Sequence, residues 1–119
     1  MSETIDTIIR WHRETFPDCT LESQLAKYSE ELEEWEKADN RQDELFELAD
    51  MVIVACGIMR FDYAIGFDFL VSINSCIQRN KTYDGNKVWN IVKKKMEKNR
   101  KRIWAKQENG SYHHTNKED

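Results

Sequence analysis

The chain has 119 residues and a mass of 14.2 kDa, enough for one small domain. Hydrophobic residues make up 39% and charged ones 34%, and four Gly with one Pro are too few for the turns of a β-sandwich or a Rossmann sheet. The net charge is only −4, yet ten of the 22 acids fall between Glu30 and Asp50 and nine of the 18 bases between Lys87 and Lys106, so the two blocks are expected to face a shared ligand or each other.

Cys19, Cys56 and Cys76 are odd in number and form no CxxC pair, which argues against a disulfide framework or a zinc ribbon. Met1 is followed by Ser-Glu-Thr, so no signal peptide is expected. The longest apolar run, Met51 to Met59, is far short of the ~20 residues that cross a bilayer. These features predict a soluble, cytoplasmic chain.

In chain order, Ile5, Ile8, Ile9, His12 and Phe16 keep one face of a first helix, closed by Pro17-Asp18. Thr20 is the expected N-cap of a second, striped by Leu21, Leu25, Tyr28, Leu32 and Trp35. Asp43 is expected to cap a third helix reaching about Arg60, whose Met51–Met59 half is apolar all round. Phe67, Leu70, Val71, Asn74 and Ile77 outline a fourth. After the turn Asp84-Gly85-Asn86, a fifth helix runs from Lys87 to about Lys106. The reading is an all-α bundle of about five helices over residues 1–107, with a polar tail, 108–119, that frays. A helix buried on every side is hard to cover in so small a chain, so a homodimer or homotetramer is expected to complete the bundle.

The second helix contains Glu30-Glu31-Leu32-Glu33-Glu34. Glu31 and Glu34 lie ~60° apart on the flank of its stripe, with Glu30 beside Glu34. Glu47 and Asp50 repeat the i, i+3 spacing at the mouth of the apolar stretch. Two antiparallel helices joined by a short turn bring both pairs together, and four crowded carboxylates require protons or a cation. Oxygen ligands without His or Cys suit Mg²⁺ or Mn²⁺. The competing reading is a solvated face with ordinary i, i+4 pairs such as Glu33–Lys37 and Lys27–Glu31.

On the fifth helix, Asn99 interrupts the apolar stripe of Val88, Val92, Met96 and Ile103, flanked by Lys95 and Arg102. A buried amide between two cations suits a phosphate chain, Lys as a point charge and Arg as a fork. Pairing of both cations with structural acids is the alternative. Negative net charge and the lack of a groove-reading motif argue against a polynucleotide partner. Trp11 and Asn74 are candidates to stack on and hydrogen-bond a nucleobase, but an interface role for the Trp and a helix-packing role for the Asn are the stronger expectation. His12 is expected in the core, and His113 and His114 in solvent.

Glu30-Glu31-x-x-Glu34, twelve residues, then Glu47-x-x-Asp50 resembles the EExxE…ExxD signature of the MazG-like all-α nucleoside triphosphate pyrophosphohydrolases. Trp11-His-x-x-Thr-Phe-Pro17 and Lys95-x-x-x-Asn99-x-x-Arg102-x-Trp104, followed by Asn109-Gly110 and His113, are similar to small phage-type members. The resemblance implies hydrolysis of a nucleoside triphosphate, with purine deoxynucleotides as a favoured class, in the host cytoplasm if the chain is phage-encoded. It implies Glu31, Glu34, Glu47 and Asp50 as metal ligands, Glu30 as the residue acting on water, and Lys95, Asn99, Arg102 and Lys27 around the substrate. The contrasting class is a non-enzymatic helical oligomer whose acidic helix pairs with a neighbour's basic one.

Overall fold

Each helix begins where a small polar side chain satisfies free N–H groups of the first turn. Thr4 and Thr7 form a reciprocal capping box at the start of α1 (Ile5–Thr15), and Thr20 with Ser23 does the same for α2 (Leu21–Lys37). Asn40, not Asp43, caps α3 (Arg41–Met59). Its Oδ1 accepts from the Asp43 N–H at 2.9 Å, and Asp43 lies inside the first turn, where its charge complements the helix dipole. Asp62 caps α4 (Tyr63–Arg79) and Asp84 caps α5 (Gly85–Lys101). The computed structural model describes residues 2–80, 83–106 and 112–114, with His113 and His114 described by backbone alone. Among them no helix is long and apolar enough to cross a membrane.

α3 is the hub. It packs against α1, α2, α4 and α5, which wrap it within axes of 39 × 34 × 32 Å. Residues 51–59 are buried along their whole length apart from half-buried Val52. The chain achieves this alone, because each surrounding helix contributes a single apolar stripe. Burial of this stretch therefore supplies no reason for self-association. Apolar surface is left on α4 instead: Tyr63, Phe67 and Val71, one turn apart, are 62%, 49% and 47% exposed. The α4 face turned to the core carries Gly66, Leu70, Ile73 and Ile77.

α5 stops at Lys101, five residues before its expected end. The Arg102 N–H closes on the Asn99 carbonyl, and the Trp104 indole N–H donates to the same carbonyl at 3.2 Å. That folds the chain back into β1 (Trp104–Lys106), antiparallel to β2 (Tyr112–His114) with Ala105 opposite His113. Ile103 thus leaves the apolar stripe and is 66% exposed. Residues 112–114 of the expected fraying tail are paired, and the rest of that tail lies outside the described residues.

Candidate metal centre and adjoining cavity

The inward face of α2 is wider than its expected stripe, of which Leu21, Leu25 and Trp35 pack against the core and Leu32 is exposed. Ser23, Gln24 and Tyr28 are buried, and Tyr28 stacks on Phe69 of α4 with ring centres 4.1 Å apart. Glu31 follows Gln24 and Tyr28 at spacings of seven and three, so the same rotation turns it inward, to 15% side-chain exposure. Opposite it, Glu47 and Asp50 stand one turn apart on α3, just before the helix becomes wholly buried. One oxygen of each of the three carboxylates lies within 4.8 Å of the others.

The cluster is under-neutralised. Lys95 of α5 holds Asp50 at 3.0 Å, while Lys27 reaches Glu31 only at 3.9 Å. Glu47 Oε2 is buried with no hydrogen-bond partner among the described residues. Burial, the Asp50 charge and the hydrogen bond to Glu47 push the Glu31 carboxyl up to about 8. Burial also raises Glu47, and the charges of Asp50 and Glu34 add to it. At neutral pH the bare cluster therefore retains a proton on Glu31.

Beside the acids opens a cavity of about 390 Å³, within the range of small-molecule sites. Glu31, Asp50, Lys27, Lys95, Asn99 and Arg102 line its polar part. Asn99 Oδ1 accepts from Arg102 Nη1 at 2.8 Å, so the buried amide orients the guanidinium, which lies 6.0 Å from the Trp104 ring centre. The aromatic part is built by Trp11, Phe16, Trp104 and Tyr112. Phe16 meets Trp11, Trp104 and Tyr112 at 5.2, 5.0 and 4.7 Å between ring centres. His12 and Gln24 complete this wall, both buried, with His12 Nε2 3.1 Å from Gln24 Oε1. Desolvation and the nearby Arg60 charge lower the His12 imidazole to about 4, so it is neutral at physiological pH.

The structure thus brings together Trp11, Lys27, Glu31, Glu47, Asp50, Lys95, Asn99 and Arg102. Glu34 is not in the carboxylate group. The rotation that buries Gln24, Tyr28 and Glu31 turns Glu34 outward, and with Glu30, Glu33 and Asp43 it lines a separate acidic groove that meets the cluster at Glu47. Asn74 is exposed on α4 and lines neither space. Lys95 has an acid partner, as the competing reading of that residue expected, and the acid is a cluster member. Sequence reasoning missed Gln24 and Tyr112 and gave Phe16 and His12 to the core alone. The Gln24–Tyr28–Glu31–Trp35 spacing was the available signal for Gln24.

No protein-family model matches the chain, and no curated protein or solved structure is significantly similar to it.

Proposed function

We propose that the protein is a metal-dependent nucleoside triphosphate pyrophosphohydrolase of the MazG-like kind, which cleaves a ribo- or deoxynucleotide between its α and β phosphates. The observation that carries this reading is a three-carboxylate cluster, in which the buried Glu47 Oε2 meets no basic or amide donor among the described residues, bordering a cavity with both cations and aromatic rings. An orphaned carboxylate oxygen costs free energy unless a cation or a proton meets it. The donor set is all oxygen, which fits Mg²⁺, with Mn²⁺ as substitute. Three carboxylates that each bring an oxygen within 4.8 Å of the other two could hold such an ion after side-chain adjustment.

In this reading Glu31, Glu47 and Asp50 hold the ion, which when bound acidifies a water and offsets phosphate charge. Glu30 orients or deprotonates the attacking water from the acidic groove, with Glu34 beside it. Water oxygen bonds to the α phosphorus, the bridge to the β phosphate breaks, and pyrophosphate leaves with the bonding electrons. Lys95, Lys27 and Arg102 receive that charge, Arg102 as a fork held by Asn99. The base lies among Trp11, Phe16, Trp104 and Tyr112, where rings bury apolar area without ordering flexible chains. The product pair is a nucleoside monophosphate and pyrophosphate, released in the cytoplasm.

The exposed Tyr63–Phe67–Val71 face supports a homodimer or homotetramer formed through α4. Light scattering on wild type and Phe67→Glu tests this: the variant should be monomeric, and an unchanged mass would exclude α4 as the interface. Function is tested by pyrophosphate release from all common ribo- and deoxynucleotides with Mg²⁺. Glu47→Gln should abolish it. Release at the wild-type rate by that variant, or none by wild type, would refute the assignment and favour a non-enzymatic helical oligomer.

A further inference from the structure

The buried polar groups beside the aromatic rings take no part in the phosphate chemistry above. Arg60, which closes α3, can only donate hydrogen bonds, and its Nη1 lies 3.2 Å from His12 Nδ1. Nδ1 is therefore the accepting nitrogen, and the ring proton sits on Nε2, where it is donated to Gln24 Oε1 at 3.1 Å. This fixes the Gln24 amide one way round: oxygen towards His12, nitrogen donating to Cys19 Sγ at 3.0 Å. Arg60 is itself held, donating to the Phe16 carbonyl at 2.7 Å and the Pro17 carbonyl at 3.3 Å.

A primary amide has two N–H groups and two lone pairs, and Gln24 uses one of each. One N–H and one lone pair remain on a residue that is 6% exposed and forms part of the cavity wall. The backbone makes room for this arrangement. A Cβ at Gly57 would stand 2.6 Å from His12 Nε2 and 2.8 Å from Gln24 Oε1, so any larger residue displaces the pair.

We infer that Gln24 reads the edge of the nucleobase, and that Arg60 positions it by fixing the tautomer of His12. The inference rests on the nucleotide reading above and deepens it. The ligand it selects is a planar heteroaromatic ring with a hydrogen-bond donor next to an acceptor. A site built around such a pair rejects ligands that lack it far more strongly than an apolar slot rejects a misfit. Inorganic triphosphate, with the same phosphates and no ring, falls outside this class.

The test compares, on wild-type protein with Mg²⁺, the best nucleotide and an analogue carrying C–H in place of one edge donor or acceptor. The kcat/KM of the analogue should be lower by about 100-fold or more. In Gln24→Met that gap should shrink to within about threefold. Long-range ¹H–¹⁵N spectra should find His12 with bare Nδ1 in wild type and in Arg60→Lys. In Arg60→Met both tautomers should appear and discrimination should fall with them. Equal kcat/KM for nucleotide and analogue in wild type overturns the role of Gln24 even if the Met variants do not fold. Discrimination retained by Gln24→Met does the same. No turnover of any nucleotide by wild type removes the nucleotide reading, and this inference with it.

Discussion

Glu31→Gln separates two costs that the native carboxyl combines. In the folded, metal-free protein Glu31 titrates near 8 instead of 4.5, so between these values the folded state holds a proton that the unfolded chain releases. Stability of the metal-free protein therefore falls as pH rises through that window, is unpenalised below 4.5 and carries the full penalty above 8. At ~1.4 kcal/mol per pH unit the penalty is bounded near ~5 kcal/mol. Water access and sharing of the proton with Glu47 reduce it to about 2 kcal/mol. Gln cannot ionise, so in chelator at pH 8.5 the variant should melt ~6 °C above wild type, and at pH 4.5 the two should nearly coincide. Mg²⁺ should reverse the order. Binding to wild type must expel the Glu31 proton, so calorimetry in two buffers of different ionisation enthalpy should count about one proton released per ion at pH 7. Parallel pH profiles for the two proteins in chelator, or no proton release, would refute the reasoning.

Three other outcomes follow from named contacts. His12, buried and neutral, should titrate near 4 by NMR, and in the Glu31→Gln background, where the opposing carboxyl is absent, acidification from pH 6.5 to 4 should destabilise the fold by up to ~3 kcal/mol, because the unfolded chain takes up the proton first. Gly66→Ala should cost about 2–3 kcal/mol of stability, read as a lower urea midpoint at unchanged slope, since the new Cβ meets the Met59 backbone N and Ala55 O, which no rotamer change can move aside. Arg102→Lys keeps the charge but loses the fork oriented by Asn99, so steady-state kcat should fall about tenfold or more with Mg²⁺ affinity intact, whereas Lys94→Ala on the exposed side of α5 should be silent. Equal turnover for those two variants would take α5 out of the site.

Helix count and the Thr20 cap were legible because each depends on neighbours within one or two turns, and the grouping of Glu31 with Glu47 and Asp50 because a short turn joins α2 to α3. The face of α2 was legible in part: Leu21, Leu25, Tyr28 and Trp35 turn to the core as expected, yet Leu32 is 37% exposed while Ser23 and Gln24 are buried. Gln24 can be buried because His12 and Cys19, from outside α2, satisfy its amide, and His12 in turn depends on Arg60, 48 residues away. Such partners leave no periodic trace. The same holds for Trp104 and Tyr112, which reach the cavity through a ribbon of three residues per strand, too short for alternation to register. The all-round apolar stretch of α3 was read correctly as buried, but its cover was misjudged: four helices of the same chain supply it.

The position of the acids along α3 divides the ion site into unequal halves. Glu47 and Asp50 ride on the helix that every other helix grips, so releasing them means opening the whole domain, and amides of 51–59 should be the last to exchange with solvent. Glu31 rides on α2, whose later residues from Glu33 to Lys37 are largely open to water. One jaw is therefore fixed and the other adjustable. If the cluster holds an ion as proposed, a cation larger than Mg²⁺ should be accommodated by α2 giving way, and mutations that stiffen α2 against α3 should sharpen the choice between ions of different radius without touching a ligand.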